Sequence, residues 1–230
     1  LLKDSQKILL LCKKTEGRFK IDVMQGILNI GAAETACVYR LPPILSEFHQ
    51  KFPNVELHIQ TESCEHFFDL LKNNIVDIAF VLTGKIQSDE LIVNSFSSEQ
   101  MSVVVGPSHP FAKKHNILLN DLKNECLIIT MPGCGYRPSI LAMLSEKHIQ
   151  PASFMELSSI AAIKECTSCG LGIAILPKVS VADYIRQKRL IELHVCDASL
   201  HISTQIIYNR GKWISPVIDT FLQFCDKFKP

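Results

Sequence analysis

The sequence predicts an α/β fold in two Rossmann-like lobes joined by two crossover strands, and three observations predict it. Strand-like and helix-like segments alternate as βαβαβ over residues 26–82, the order that builds a parallel, doubly wound sheet. The same alternation starts again at Leu127 and runs to Pro177, so two sheets fit better than one wide one. Between the halves, Met101-Ser102-Val103-Val104-Val105-Gly106 reads as a strand leaving one lobe for the other, and Ile202 to Tyr208 as the return crossing.

Each element has its own local cause. Gly26-Ile27-Leu28-Asn29-Ile30-Gly31 is a short strand ending at glycine. Leu41, Ile44, Leu45, Phe48 and Phe52 follow at helical spacing, with Pro42-Pro43 at the helix start, where proline costs no hydrogen bond. Pro53-Asn54 ends that helix, and Val55-Glu56-Leu57-His58-Ile59 alternates as a half-buried strand does. Phe67, Phe68, Leu70 and Leu71 mark a second helix, closed by Asn73-Asn74 in place of glycine. The nearly unbroken apolar run from Ile75 to Leu82 is the pattern of a parallel strand covered on both faces. In the second half, strands are expected at 127–130, 154–157 and 173–176, the last stopped by Pro177, with helices over 139–148 and 158–169, the latter capped by Gly170. Ser215 and Pro216 open a final helix whose stripe is Val217, Ile218, Phe221, Leu222, Cys225 and Phe228. Residues 1–13 read as the end of a helix and 15–24 as linker.

Composition excludes several classes. Apolar residues make up 47% of 230, enough to bury a core against the entropy of ordering the chain. With 24 Lys plus Arg against 23 Asp plus Glu, the formal charge of +1 argues against a basic nucleic-acid groove or a polybasic membrane anchor. No apolar run approaches the roughly 18–20 residues that cross a bilayer. The run Ile8–Cys12, followed by Lys13-Lys14, has neither the length nor the charge order of a secretory signal. The nine cysteines lie mostly in apolar segments, which fits reduced thiols in the cytoplasm better than paired ones.

Catalytic motifs are not supported. Gly170-Leu171-Gly172 precedes a strand instead of following one, so it reads as a helix cap and not as a dinucleotide loop. Cys166-Thr167-Ser168-Cys169 ends a helix, whereas a redox dithiol should open one, and buried helix packing is the preferred reading. Cys64-Glu65-His66 puts neighbours on different helix faces, which is a poor metal set. No metal and no cofactor are expected. Glu34 and Glu62 are the only carboxylate pair near one cleft, and neither has an obvious acid/base partner.

The positional argument is stronger. Ligands of doubly wound sheets bind outside the carboxyl ends of the strands. Those ends are Ala32-Ala33-Glu34-Thr35, Thr61-Glu62-Ser63, Leu82-Thr83, Met131 to Gly135, and Ser158-Ser159. Small hydroxyl residues at helix starts suit an anion, and they suit plain helix capping equally well. Cys134 sits in the glycine-bracketed loop Pro132-Gly133-Cys134-Gly135-Tyr136-Arg137, where Arg137 is the one arginine of the cleft loops and can meet a carboxylate in bidentate fashion. Glu34 and Glu62 oppose a purely anionic ligand unless each faces solvent or pairs with a cation.

Several strings then occur in a telling order: Leu28-Asn29-Ile30-Gly31, Leu41-Pro42 with Phe48 and Phe52-Pro53, Val55-Glu56-Leu57, Val76-Asp77-Ile78-Ala79, His109-Pro110 and Gly170-Leu171-Gly172-Ile173-Ala174-Ile175-Leu176-Pro177. Over residues 24–228 the chain closely resembles the effector-binding domain of LysR-type transcriptional regulators. The resemblance implies a type 2 periplasmic-binding-protein-like fold, with lobe I from 24–104 and 205–230, lobe II from 105–204, and 1–23 as linker helix and linker. It implies a small effector, a carboxylate or other small anion, between the lobes.

Carried over by position, the effector contacts are Glu34, Thr35 and Ala36; Glu62, Ser63 and Cys64; Leu82 and Thr83; Cys134, Gly135 and Arg137; and Ser158 and Ser159; the strand-end argument adds Met131. Glu62 departs from the usual glycine and Cys64 stands near the usual serine. The resemblance further implies DNA binding through an N-terminal winged helix-turn-helix outside this sequence, a cytoplasmic homodimer or homotetramer, no enzyme activity and no membrane association. The alternative on the same fold is an extracytoplasmic solute-binding protein of a transporter, which predicts an export signal and few free thiols.

Overall fold

A computed structural model describes Ser5 and residues 24–114, 116–197 and 200–229. The helix and linker expected before residue 24 lie, but for Ser5, outside the described residues. Two five-stranded sheets carry the chain. The first contains β1 (Gly26–Ala32), β2 (Val55–Thr61), β3 (Ile78–Thr83), β4 (Leu91–Glu99) and β10 (Ile202–Asn209), in the order β2-β1-β3-β10-β4. The second contains β5 (Met101–Val105), β6 (Cys126–Thr130), β7 (Ser153–Leu157), β8 (Ile173–Pro177) and β9 (Ile191–Leu193), in the order β7-β6-β8-β5-β9. Both sheets repeat one plan. Three parallel strands are followed by an antiparallel strand supplied from the other half of the chain.

The helices are α1 (Glu34–Tyr39), α2 (Leu41–Lys51), α3 (Cys64–Lys72), α4 (Arg137–Glu146), α5 (Ile160–Ser168), α6 (Lys178–Arg186) and α7 (Pro216–Asp226). Ser215 caps α7 by accepting the Ile218 amide, with Pro216 at the first turn, as its sequence predicts. Asn74 takes φ 56° after α3, so an asparagine does supply the left-handed residue that usually falls to glycine.

One side of the first sheet packs Leu28, Ile30 and Phe80 against Phe48 of α2 and Phe221 of α7, whose rings meet edge to face at 5.0 Å. The opposite side packs Ala79, Val81 and Ile207 against Phe67 and Leu71 of α3. Gly31 is the close approach on that side, since a Cβ there would stand 2.4 Å from the Phe67 ring. In the second lobe, Ile128, Ala174 and Leu176 meet Ile163 of α5 on one face, and Leu127, Ile129 and Ile175 meet Ile140 of α4 on the other.

Several boundaries differ from the sequence reading. Residues 101–104, assigned above to lobe I, pair with β8 and belong to the second sheet, while Ile202, Ser203 and Thr204, assigned to lobe II, pair with β4 in the first. The first crossing is thus the single residue Gln100. An alternating strand reads alike in either sheet, and only its hydrogen-bond partner decides the lobe. The strand expected at 173–176 does end at Pro177, and α6, which the sequence reading did not contain, starts at the next residue. The run from Ile75 enters the sheet only at Ile78, since Asp77 turns to accept the Asn29 amide at 2.7 Å and pairs with Lys212 at 2.8 Å.

Candidate functional site

The carboxyl ends of the parallel strands from both sheets meet. After β3, the Thr83 hydroxyl donates to the Gly135 carbonyl at 2.8 Å. After β2, Ser63 caps α3 by accepting the His66 amide, and the Cys64 amide donates to the Gly133 carbonyl at 3.1 Å. Leu82 is buried among side chains of the second lobe. After β1, Glu34 at the first turn of α1 reaches across, and both its oxygens accept from the Ile160 amide, at 3.2 and 3.1 Å. Ser159 caps the same helix start, accepting the Ala162 amide at 3.5 Å. Free amides and the dipole at the beginning of α5 favour a negative group, and Glu34 supplies one.

Among the described residues, the hydroxyls of Thr35, Thr130 and Tyr136, which are 2%, 6% and 3% exposed, lack a well-formed hydrogen bond, and the Cys134 thiol lies beside the Tyr136 phenol. A buried hydroxyl without a partner costs roughly 1–3 kcal/mol, so each of these positions gains from a group that supplies one. Burial pushes the Tyr136 phenol well above its ordinary range, and the neighbouring Cys134 thiol and Glu34 carboxylate add to the shift. The Cys64 thiol is pushed up to about 11, chiefly by burial, against the opposing pull of the Leu82 carbonyl and with a further push from Cys134. Glu34, Cys64, Cys134 and Tyr136 therefore share one electrostatic neighbourhood.

The remaining expected contacts are placed differently. Ala36 is 1% exposed and packs into the first-lobe core. Glu62 faces solvent and pairs with His66 one turn along at 3.3 Å. Met131 and Ser158 are exposed. Arg137 does not offer its guanidinium to the cleft, because it donates to the Thr130 carbonyl and pairs with Glu156 in its own lobe. The CxxC is not buried as expected, since Cys169 is exposed at the end of α5 and Cys166 only half-buried.

Sequence reasoning missed Tyr136 as a site residue and missed a second set of contacts between the lobes. Tyr39 donates to the Ser180 carbonyl at 3.3 Å, and the buried Lys164 ammonium donates to the Tyr39 hydroxyl at 3.1 Å while lying over the Tyr184 ring. At the crossing, Arg40 holds Glu99 in a fork of 2.9 and 2.6 Å, and Ser97 and Thr204 donate to the same carboxylate. These residues lie far apart in sequence, so no local spacing could have brought them together. The tyrosine following Cys134-Gly135 was the one available signal.

Comparisons with known proteins agree with this architecture. The family model described as the LysR substrate binding domain matches residues 22–229. The HTH-type transcriptional regulator YwqM of Bacillus subtilis is 36% identical over 225 residues, covering 97% of this chain and 76% of that protein. GltR of the same organism is 28% identical, covering 86% of this chain and 65% of its own length. The regulatory domain of Synechocystis CcmR in complex with 2-PG superposes with a TM-score of 0.81 at 25% identity, covering 89% of this chain and 98% of that one. The effector-binding domain of QuiR in complex with shikimate gives a TM-score of 0.79 at 20% identity, covering 90% and 98%. With two sheets joined by crossover strands, a polar seam between them and a family match over nearly its whole length, this chain belongs to the effector-binding domains of LysR-type regulators.

Proposed function

We propose that this chain senses a small molecule, a carboxylate or other small anion, held between its lobes by Thr35, Cys64, Thr83, Cys134, Tyr136 and Ser159, with Glu34 beside them. The observation that supports this reading is the meeting of strand ends from both lobes, where Thr83 bonds Gly135, Cys64 bonds Gly133 and Glu34 bonds Ile160, with the buried hydroxyls of Thr35 after β1 and Tyr136 after β6 lacking a well-formed hydrogen bond. A bound effector satisfies them and biases how tightly the lobes close, and the bias passes to an N-terminal DNA-binding domain in a cytoplasmic homodimer or homotetramer. Arg137 orders the loop after β6 and is not itself a contact in this reading.

Calorimetric screening of the chain against a metabolite library tests it. A binder whose affinity falls at least about tenfold in Thr35→Val and in Tyr136→Phe, the worth of one or two hydrogen bonds, supports the reading. A binder indifferent to both substitutions, or no binder at all, overturns it.

A further inference from the structure

We propose that Cys64 and Cys134 form a dithiol that a small-molecule disulfide oxidises to a covalent cross-link between the two lobes, which makes the pair a redox latch on the interlobe site. Cys64 opens α3 of the first lobe, and Cys134 lies in the loop after β6 of the second. Their backbones are already tied, because the Cys64 amide donates to the carbonyl of Gly133, the residue bonded to Cys134, at 3.1 Å. Bond lengths and the bend at a donating amide hold the two Cα atoms within about 7 Å of each other, the span that a disulfide bridges. The Cys64 sulfur also lies against that loop, since a Cβ on Gly135 would stand 2.7 Å from it. Both thiols are felt by the Tyr136 phenol, and Cys134 is felt by Cys64, so the two sulfurs are neighbours.

The two cysteines differ in access, and the difference orders the chemistry. Cys134 is half-buried, whereas Cys64 is 6% exposed and pushed up to about 11, chiefly by burial. A small disulfide such as oxidised glutathione therefore meets Cys134 first. The Cys134 thiolate attacks one sulfur of the oxidant and a mixed disulfide forms. The oxidant's own S–S bond breaks, and the thiol released takes up the proton that Cys134 gave up. Cys64 then loses its proton and attacks the Cys134 sulfur, and the second small thiol leaves with that proton. Two electrons pass from the protein sulfurs to the oxidant, so one small disulfide becomes two small thiols. Because burial holds Cys64 as a thiol at neutral pH, the second step is the slower one. The new bond pins the lobes together and withdraws both thiols from contact with an effector. That last consequence rests on the interlobe reading above, whereas the cross-link itself does not.

The test incubates the reduced 230-residue chain, Cys64→Ser, Cys134→Ser and Cys169→Ser with oxidised glutathione, and maps disulfides by mass spectrometry of unreduced peptides. The expected result is glutathione first on Cys134, giving way to a Cys64–Cys134 cross-link in the wild type and in Cys169→Ser. Cys64→Ser should keep the glutathione, and Cys134→Ser should form no such link. The oxidised wild type should unfold at higher urea than the reduced chain, and dithiothreitol should reverse the difference. A metabolite that binds the reduced chain should bind the oxidised one at least about tenfold more weakly. Glutathione that stays on Cys134 of the folded wild type, a cross-link that forms only in urea, or a Cys166–Cys169 bond in its place overturns the proposal. Equal metabolite affinity of the reduced and cross-linked chains overturns the latch. The cross-link is read without any effector, so its failure leaves the interlobe reading standing, while a reduced chain that binds no metabolite overturns that reading alone.

Discussion

The Cys64 amide of the first lobe donates to the Gly133 carbonyl of the second at 3.1 Å. Two residues further on, Gly135 is a glycine because there is no room for anything larger. A Cβ there would meet the Leu82 carbonyl at 2.5 Å, the Cys64 sulfur at 2.7 Å and Thr83 at 2.9 Å. Gly135→Ala should therefore act as a wedge, lowering stability by about 1–3 kcal/mol and enlarging the radius of gyration in small-angle scattering. Thr83→Val, which only deletes the hydroxyl bond to Gly135, should cost about 1 kcal/mol and leave the dimensions nearly unchanged.

Tyr136→Phe and Thr35→Val should separate stability from sensing. Each removes a buried hydroxyl that lacks a well-formed hydrogen bond while conserving most of the shape. The ligand-free variants should gain about 1 kcal/mol in urea denaturation even as they lose effector affinity. A loss of stability in both would show that these hydroxyls are already satisfied.

Glu99 makes the crossing between the sheets sensitive to acid. Burial pushes its carboxyl upward, but the Arg40, Ser97 and Thr204 hydrogen bonds outweigh burial and hold it below the ordinary glutamate value. A depressed carboxyl stabilises the fold fully above its unfolded-state value of 4.5 and loses that contribution as pH falls through the lower folded value. Denaturation midpoints should hence decline below about pH 5, and Glu99→Gln should flatten the decline. Arg40→Met, which strands the carboxylate, should cost about 3 kcal/mol at neutral pH.

Thiol labelling should follow burial. Cys169 and Cys196 are exposed, whereas Cys64 and Cys225 are buried and shifted upward, Cys225 to about 12 chiefly by burial, with Asp226 adding to the shift. Iodoacetamide at pH 8 should alkylate Cys169 and Cys196 first, and reach Cys64 and Cys225 only on unfolding, as peptide mass spectrometry can read.

Much of this fold is legible locally. The βαβαβ order, the Ser215-Pro216 start of α7 and the left-handed Asn74 all follow from periodicity and capping. The elements that escaped have weak patterns: the six-residue α1, which has no side-chain cap, β4, whose Asn94, Ser95, Ser97 and Ser98 break the apolar alternation, the three-residue β9, and α6, which starts without a side-chain cap directly after Pro177. The site was legible only as a set of strand ends. Which of those residues meet is a matter of tertiary placement. Arg137 turns to Glu156 and Ala36 to the core, whereas Glu34 crosses to Ile160 and Tyr136 arrives with a hydroxyl that lacks a well-formed hydrogen bond.

The shortness of the Gln100 crossing has a mechanical implication. One residue separates the last pairing of β4 from the first of β5, and its carbonyl is tied to the Lys178 amide at 2.8 Å. Relative rotation of the halves has almost no slack to dissipate in there, so a small torsional adjustment at that pivot becomes a larger sweep at the distant rim, and events at the rim are levered back to the pivot with little loss.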